Sequence, residues 1–270
     1  MDGIVERVVA FALVGLASGF VSGLFGVGGG IVRIPIFVYL LPLFGVAHQV
    51  MMHVAVGTSV ALVIPSAIAS TRKQLALGNF DLKFFRTWGL GIFGGVLLGV
   101  ALLPWVSTEV LQAIFAAFMA AVGIYEGFLK DRIVAAPEPP RGAVKLAMAA
   151  VIGCVAALTG TAGGTMTTPA LQAFSMRMES AIATASATGL VTGTVATIGA
   201  VVGGWRAQDL PAYSLGYVDL TIFLAMMPTI LIAAPIGVRT GQGLSEAWLR
   251  RIYTVLVLVI ALDLVRKLVL

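Results

Sequence analysis

The chain has 270 residues, 59% of them hydrophobic and 11% charged, with a mean hydropathy of +1.04. Soluble domains run near 45–50% apolar with about 25% charged residues, so a water-soluble globule of this length could not hide so much apolar surface; lipid is the natural solvent. The net charge of +5 arises from 17 Lys and Arg set mostly in the polar breaks between apolar runs, a placement that follows membrane topology; no basic stripe with interleaved aromatics points to nucleic acid.

In chain order the apolar runs cover residues 8–25, 31–47, 50–70, 88–106, 110–129, 144–160, 165–175, 180–203, 218–238 and 248–265. A crossing takes about 20 residues. All but two of these runs reach that range; 31–47 and 165–175 are short, follow glycine-rich breaks and contain Pro35 and Pro169. The first run is read as a permanent helix. It is too long for a usual signal sequence, lacks a distinctly basic lead, and is followed by glycines in place of a cleavage site. The lone cysteine, Cys154, allows no internal disulfide and is expected to pack as a small apolar residue. The charged, proline-rich stretch 130–145 marks the boundary between a first membrane repeat, 1–135, and a second, 136–270.

The halves match each other. At one offset Gly19, Gly26, Gly29, Gly30 and Pro35 fall on Gly153, Gly160, Gly163, Gly164 and Pro169. At a second, Leu77–Leu82 falls on Leu215–Leu220, keeping Leu, Gly, Asp and Leu in place, and Gly99 falls on Gly237. The expected fold is therefore all-α: a polytopic membrane protein of two homologous repeats with about 4–5 helices each, and one glycine-broken short helix per repeat. Charge favours an inverted arrangement. The break 71–87 holds Arg72, Lys73, Lys83 and Arg86, whereas its counterpart holds Arg206; the break 104–109 holds no base, whereas its counterpart holds Arg239, Arg250 and Arg251.

The chemistry is expected at the two breaks. Gly28, Gly29 and Gly30 precede Arg33 and Pro35; Thr159, Thr161, Gly163, Gly164, Thr165 and Thr167 precede Pro169. Glycine runs unwind a helix. Irregular backbone at membrane depth is tolerated only inside protein or along a cavity. A helix restarting after such a break turns free N–H groups and a positive dipole end toward an anion. Arg33, a lone charge in an apolar run, could neutralise that anion. Thr58, Ser59 and Ser186 on the following helices could add neutral donors. His53 and Gln49 are secondary candidates. The two histidines, His48 and His53, do not share a helix face, so no metal site is expected, and no cofactor. The glycines form no nucleotide loop.

Gly15, Gly19 and Gly23, like Gly91, Gly95 and Gly99, read as helix-packing stripes. Asp81 and Asp219 read as N-caps. No H-E-x-x-H, G-x-S-x-G or deep carboxylate pair is present, so an enzyme is not expected.

The glycine–proline block and its degenerate repeat, with the pattern Ala55–Ser59, resemble the TauE/SafE sulfite exporter family over nearly the whole chain. The resemblance implies a two-repeat integral membrane protein of the bacterial or archaeal cell (inner) membrane. It implies transport of small sulfur-containing anions such as sulfite or organosulfonates, with Gly28–Arg33 and Thr161–Thr167 facing each other. Export is the expected direction. An anion channel, or a carrier of another small carboxylate or oxyanion, is the alternative. The expected partners are that anion and the lipid bilayer, with no nucleic acid; a homodimer stays open.

Overall fold

The structure is a computed structural model that describes residues 2–25, 28–129, 138–242 and 244–269. Gly26 of the repeat pattern and the 135/136 boundary lie outside the described residues. Ten α-helices are described: α1 (Asp2–Phe25), α2 (Gly30–Leu43), α3 (His48–Ala76), α4 (Leu82–Leu102), α5 (Thr108–Ile124), α6 (Gly142–Thr159), α7 (Gly164–Ala173), α8 (Met178–Gly203), α9 (Leu220–Gln242) and α10 (Glu246–Val269). Each coincides with one expected apolar run. A 3₁₀ turn, Leu103–Trp105, extends α4, and a π-helical turn, Tyr125–Leu129, extends α5.

Seven described helices are long and apolar enough to cross a membrane: α1, α3, α4, α5, α6, α8 and α9. The run in α10, expected to be an eighth, is as long but carries Arg250, Arg251 and Asp263. Two basic residues of α10, Arg250 and Lys267, bond to carbonyl groups of neighbouring elements. Arg250 Nε donates to the Glu126 carbonyl oxygen at 2.6 Å. Lys267 Nζ donates to the Val38 carbonyl oxygen at 2.9 Å. That carbonyl lies one turn before Pro42, which has no N–H to give it. Outward faces are apolar, with Leu13, Leu90, Val151, Ile198, Leu224 and Val259 exposed, as a lipid-facing surface requires. This is an integral membrane protein.

Close helix pairs form the body. α1 packs along α9, α4 along α6, α3 along α8, and α5 along α10. The expected glycine stripes lie in the first two contacts. A Cβ on Gly19 of α1 would stand 2.8 Å from Ile230 Cα of α9, and one on Gly99 of α4 would stand 2.7 Å from the Cys154 carbonyl oxygen of α6. With no hydrophobic drive between helices in lipid, such backbone approach is what holds them.

Asp81 caps α4, accepting from Phe84 N at 2.9 Å. Asp219 caps α9, accepting from Ile222 N at 3.0 Å, and does more than the N-cap reading foresees: it is fully buried and pairs with Arg7 of α1. The matched blocks differ locally. Ser214–Leu215 and Val218–Asp219 form a small antiparallel hairpin, β1 and β2, whereas Leu77–Asp81 is a simple turn.

Candidate functional site: two broken helices

Both glycine breaks stop and restart a helix. Gly29 sits before α2 at φ 72° and Gly163 before α7 at φ 66°. Other residues resist this left-handed region, so glycine sets the point of restart. The two breaks touch. A Cβ on Gly30 would lie 2.8 Å from the Gly160 carbonyl oxygen and 3.1 Å from Thr161 Cα, and one on Gly28 would lie 2.7 Å from Ala162 Cβ.

Arg33 is 1% exposed. Its Nη2 donates to the Gly28 carbonyl oxygen at 3.0 Å and to that of Ser59 at 3.3 Å; its Nε donates to Ser59 Oγ at 3.4 Å. Ser59 Oγ in turn donates to the Gly160 carbonyl oxygen at 2.7 Å. One hydroxyl on α3 thus links the arginine after the first break to the backbone of the second. No described acidic residue forms an ion pair with Arg33. Its positive charge is buried among neutral acceptors only, an expensive arrangement unless an anion completes it.

Around the second break the hydroxyls are buried but mostly occupied. Thr159 Oγ1 donates to the Val155 carbonyl oxygen at 2.7 Å and lies 3.1 Å from Thr161 Oγ1. Thr167 Oγ1 donates to the Gly163 carbonyl oxygen at 2.9 Å. Thr165 is 5% exposed on the first turn of α7, and Gly164 faces Ala185 of α8.

The model of the family described as Sulfite exporter TauE/SafE matches residues 11–264. The chain belongs to the TauE/SafE sulfite exporter family. It is similar to proteins named probable membrane transporter protein in three organisms. In Haemophilus influenzae the identity is 28% over 257 residues, 94% of this chain and 97% of the relative. In Methanocaldococcus jannaschii it is 25% over 240 residues, 88% of each. In Xylella fastidiosa it is 28% over 253 residues, 90% of this chain and 89% of the relative. No solved structure matches. The protein is thus a membrane transporter of the TauE/SafE family.

Within this TauE/SafE chain the remaining candidates point elsewhere. Thr58 accepts from Asp219 N at 3.0 Å and so braces α9. Ser186 donates to the Ile182 carbonyl oxygen at 2.9 Å and lies 2.7 Å from Ser70 Oγ, tying α8 to α3. His53 is buried, with Nε2 3.0 Å from the Leu103 carbonyl oxygen and its ring 4.9 Å from that of Tyr217. Gln49 is exposed at the start of α3, where its carbonyl oxygen accepts from Thr108 Oγ1 at 2.8 Å. Two residues that sequence reasoning passed over stand at the second break. Thr188 accepts from Trp88 Nε1 at 3.0 Å, and Thr192 lies against Gly163. Their spacing of four residues on α8 was the available signal.

Proposed function

We propose that this protein carries small sulfur-containing anions such as sulfite or organosulfonates across the membrane, binding them where the two glycine breaks meet. The observation that supports this reading most is the Arg33 guanidinium, buried without a described carboxylate partner and held by the Gly28 and Ser59 carbonyl oxygens. An anion would supply the missing charge, and the N-termini of α2 and α7 would add their dipoles.

The packing also supports an inverted repeat. By the sequence match, α6 copies α1 and α9 copies α4; the contact of α1 with α9 is repeated by α6 with α4, partners exchanged. Gly19 and Gly153, and Gly99 and Gly237, occupy equivalent points in these two contacts. An approximate twofold axis would relate such pairs; opposite orientation of the copies requires an odd number of crossings per half, so the short helices α2 and α7, and α10, would have to cross as well.

Export is the favoured direction. Moving one charge through about 100 mV is worth about 2.3 kcal/mol, so an inside-negative cell drives anions outward. Among the described residues Asp219 is the one buried carboxylate, and Arg7 already pairs with it; it is not a free group for carrying a coupling cation inward.

Anion binding to the purified protein in detergent tests the reading, with sulfite, sulfoacetate, thiosulfate and chloride compared on wild type and Arg33→Ala. Selective binding that disappears in the variant is expected. Binding that survives Arg33→Ala undiminished would take Arg33 out of the site and remove the main support for this reading.

A further inference from the structure

Thr192 lies on α8, is 0% exposed, and its Oγ1 has no hydrogen-bond partner. A hydroxyl in a helix usually satisfies itself on the carbonyl one turn back. Its neighbours on α8 do so: Thr184, Ser186 and Thr197 donate to Ser180, Ile182 and Gly193 at 2.8, 2.9 and 2.6 Å. Thr192 does not. Its oxygen stands 3.1 Å from where a Cβ on Gly163, the N-cap of α7, would be. Thr71 and Thr254 also hold unpartnered hydroxyls, but Thr192 is the one set against the N-cap glycine of a broken helix.

One turn earlier, Thr188 is equally buried and faces the same glycine, its Cγ2 3.0 Å from the same point. Its oxygen accepts from Trp88 Nε1, so its own proton is left to give. The ten-residue α7 therefore begins opposite a fully buried hydroxyl with nothing to bond. Burying a polar group unpaired is costly, and a ligand oxygen relieves it.

We infer that Thr192, with the α7 N-terminus at Gly163, forms a neutral subsite that donates a hydrogen bond to one oxygen of the bound anion. The inference rests on the reading of the breaks as an anion site. Arg33 supplies charge from the first half; Thr192 supplies an uncharged donor from the second, which can distinguish anions by the placement of their oxygens.

The test is binding of sulfite, sulfoacetate and thiosulfate to purified wild type, Thr192→Val, Thr192→Ser and Arg33→Ala, with thermal unfolding of each ligand-free protein as the folding control. Thr192→Val keeps the shape and removes the donor. It is expected to weaken at least one of the three anions about tenfold, with unfolding temperature held or raised. Thr192→Ser keeps the donor and is expected to bind within about threefold of wild type. Should Thr192→Val fail to fold, loss of affinity in Thr192→Ala with recovery in Thr192→Ser supports the same conclusion. Unchanged affinities in the folded valine or alanine variant, with Arg33→Ala inactive, overturn the Thr192 subsite and leave the anion reading standing. Weakening by Thr192→Val with Arg33→Ala unaffected supports the subsite and removes Arg33 from it. Absence of binding to all three anions by wild type overturns both.

Discussion

Arg33 and Gly160 belong to different halves of the chain yet share the Ser59 hydroxyl, which accepts from the arginine Nε at 3.4 Å and donates to the glycine carbonyl oxygen at 2.7 Å. Removing that hydroxyl leaves a buried carbonyl unpaired and frees one side of the guanidinium. Ser59→Ala is expected to cost about 1–3 kcal/mol of stability and to weaken anion binding as Arg33 loses its orientation. Chemical denaturation and anion titration of the same preparation check both. A variant as stable as wild type would show that the Gly160 carbonyl finds another donor.

Arg33 itself separates charge from shape. Met occupies a similar volume without charge. Lys keeps the charge but cannot reproduce the planar fork that reaches both Gly28 and Ser59. A bound anion at a hundred times its Kd stabilises a protein by about 2.7 kcal/mol. Wild type is expected to show such ligand-dependent stabilisation in thermal unfolding, Arg33→Met none, and Arg33→Lys a reduced amount. Equal stabilisation of wild type and Arg33→Met by sulfite would separate the anion from this arginine.

Much of this was readable because it is local. Apolar run length and Gly/Pro punctuation place all ten helices, and Arg33 stands out as a lone charge between Val32 and Ile34. What was hidden depends on rotation and distance. Thr58 and Ser59 are adjacent, but the turn of α3 sends one to Asp219 and the other to Arg33. Arg7 and Asp219 meet across nearly the whole chain, with no sequence pattern to announce them. Thr192 is one hydroxyl among many; only its packing against Gly163 sets it apart.

The α4–α6 contact offers a comparison between neighbouring glycines. Gly95 is buried, and a Cβ there would run into the Ala150 carbonyl group; Gly94 is exposed, with nothing within 4 Å of its Cβ position. Gly95→Leu is expected to push α4 off α6 and cost more than the roughly 1–3 kcal/mol typical of overpacking, because the obstacle is backbone. Gly94→Leu, facing lipid, is expected to be neutral or to gain up to about 1 kcal/mol from helix propensity. Thermal unfolding in detergent ranks the two; equal effects would mean that α4 does not rest on α6 through this face.

The Arg7–Asp219 pair ties the start of α1 to the start of α9, and its carboxylate has two tasks. One oxygen faces Arg7 and the other caps α9 at Ile222 N. Asp219→Asn removes the charge and keeps a capping oxygen; Asp219→Leu removes both. The leucine variant is expected to be less stable than the asparagine variant by about 1 kcal/mol, the usual worth of a cap. Arg7 is 13% exposed, so after loss of its partner it can turn partly to water or headgroups. The asparagine variant should therefore lose less than the 3–5 kcal/mol of a fully buried broken pair. Combining Asp219→Asn with Arg7→Met closes a double-mutant cycle, with an expected coupling of about 1–3 kcal/mol. Additive effects would mean that the two side chains, though adjacent, do not depend on each other. In that case the cap at Ile222 and the Thr58 hydroxyl, which accepts from Asp219 N at 3.0 Å, hold the start of α9 without the charge.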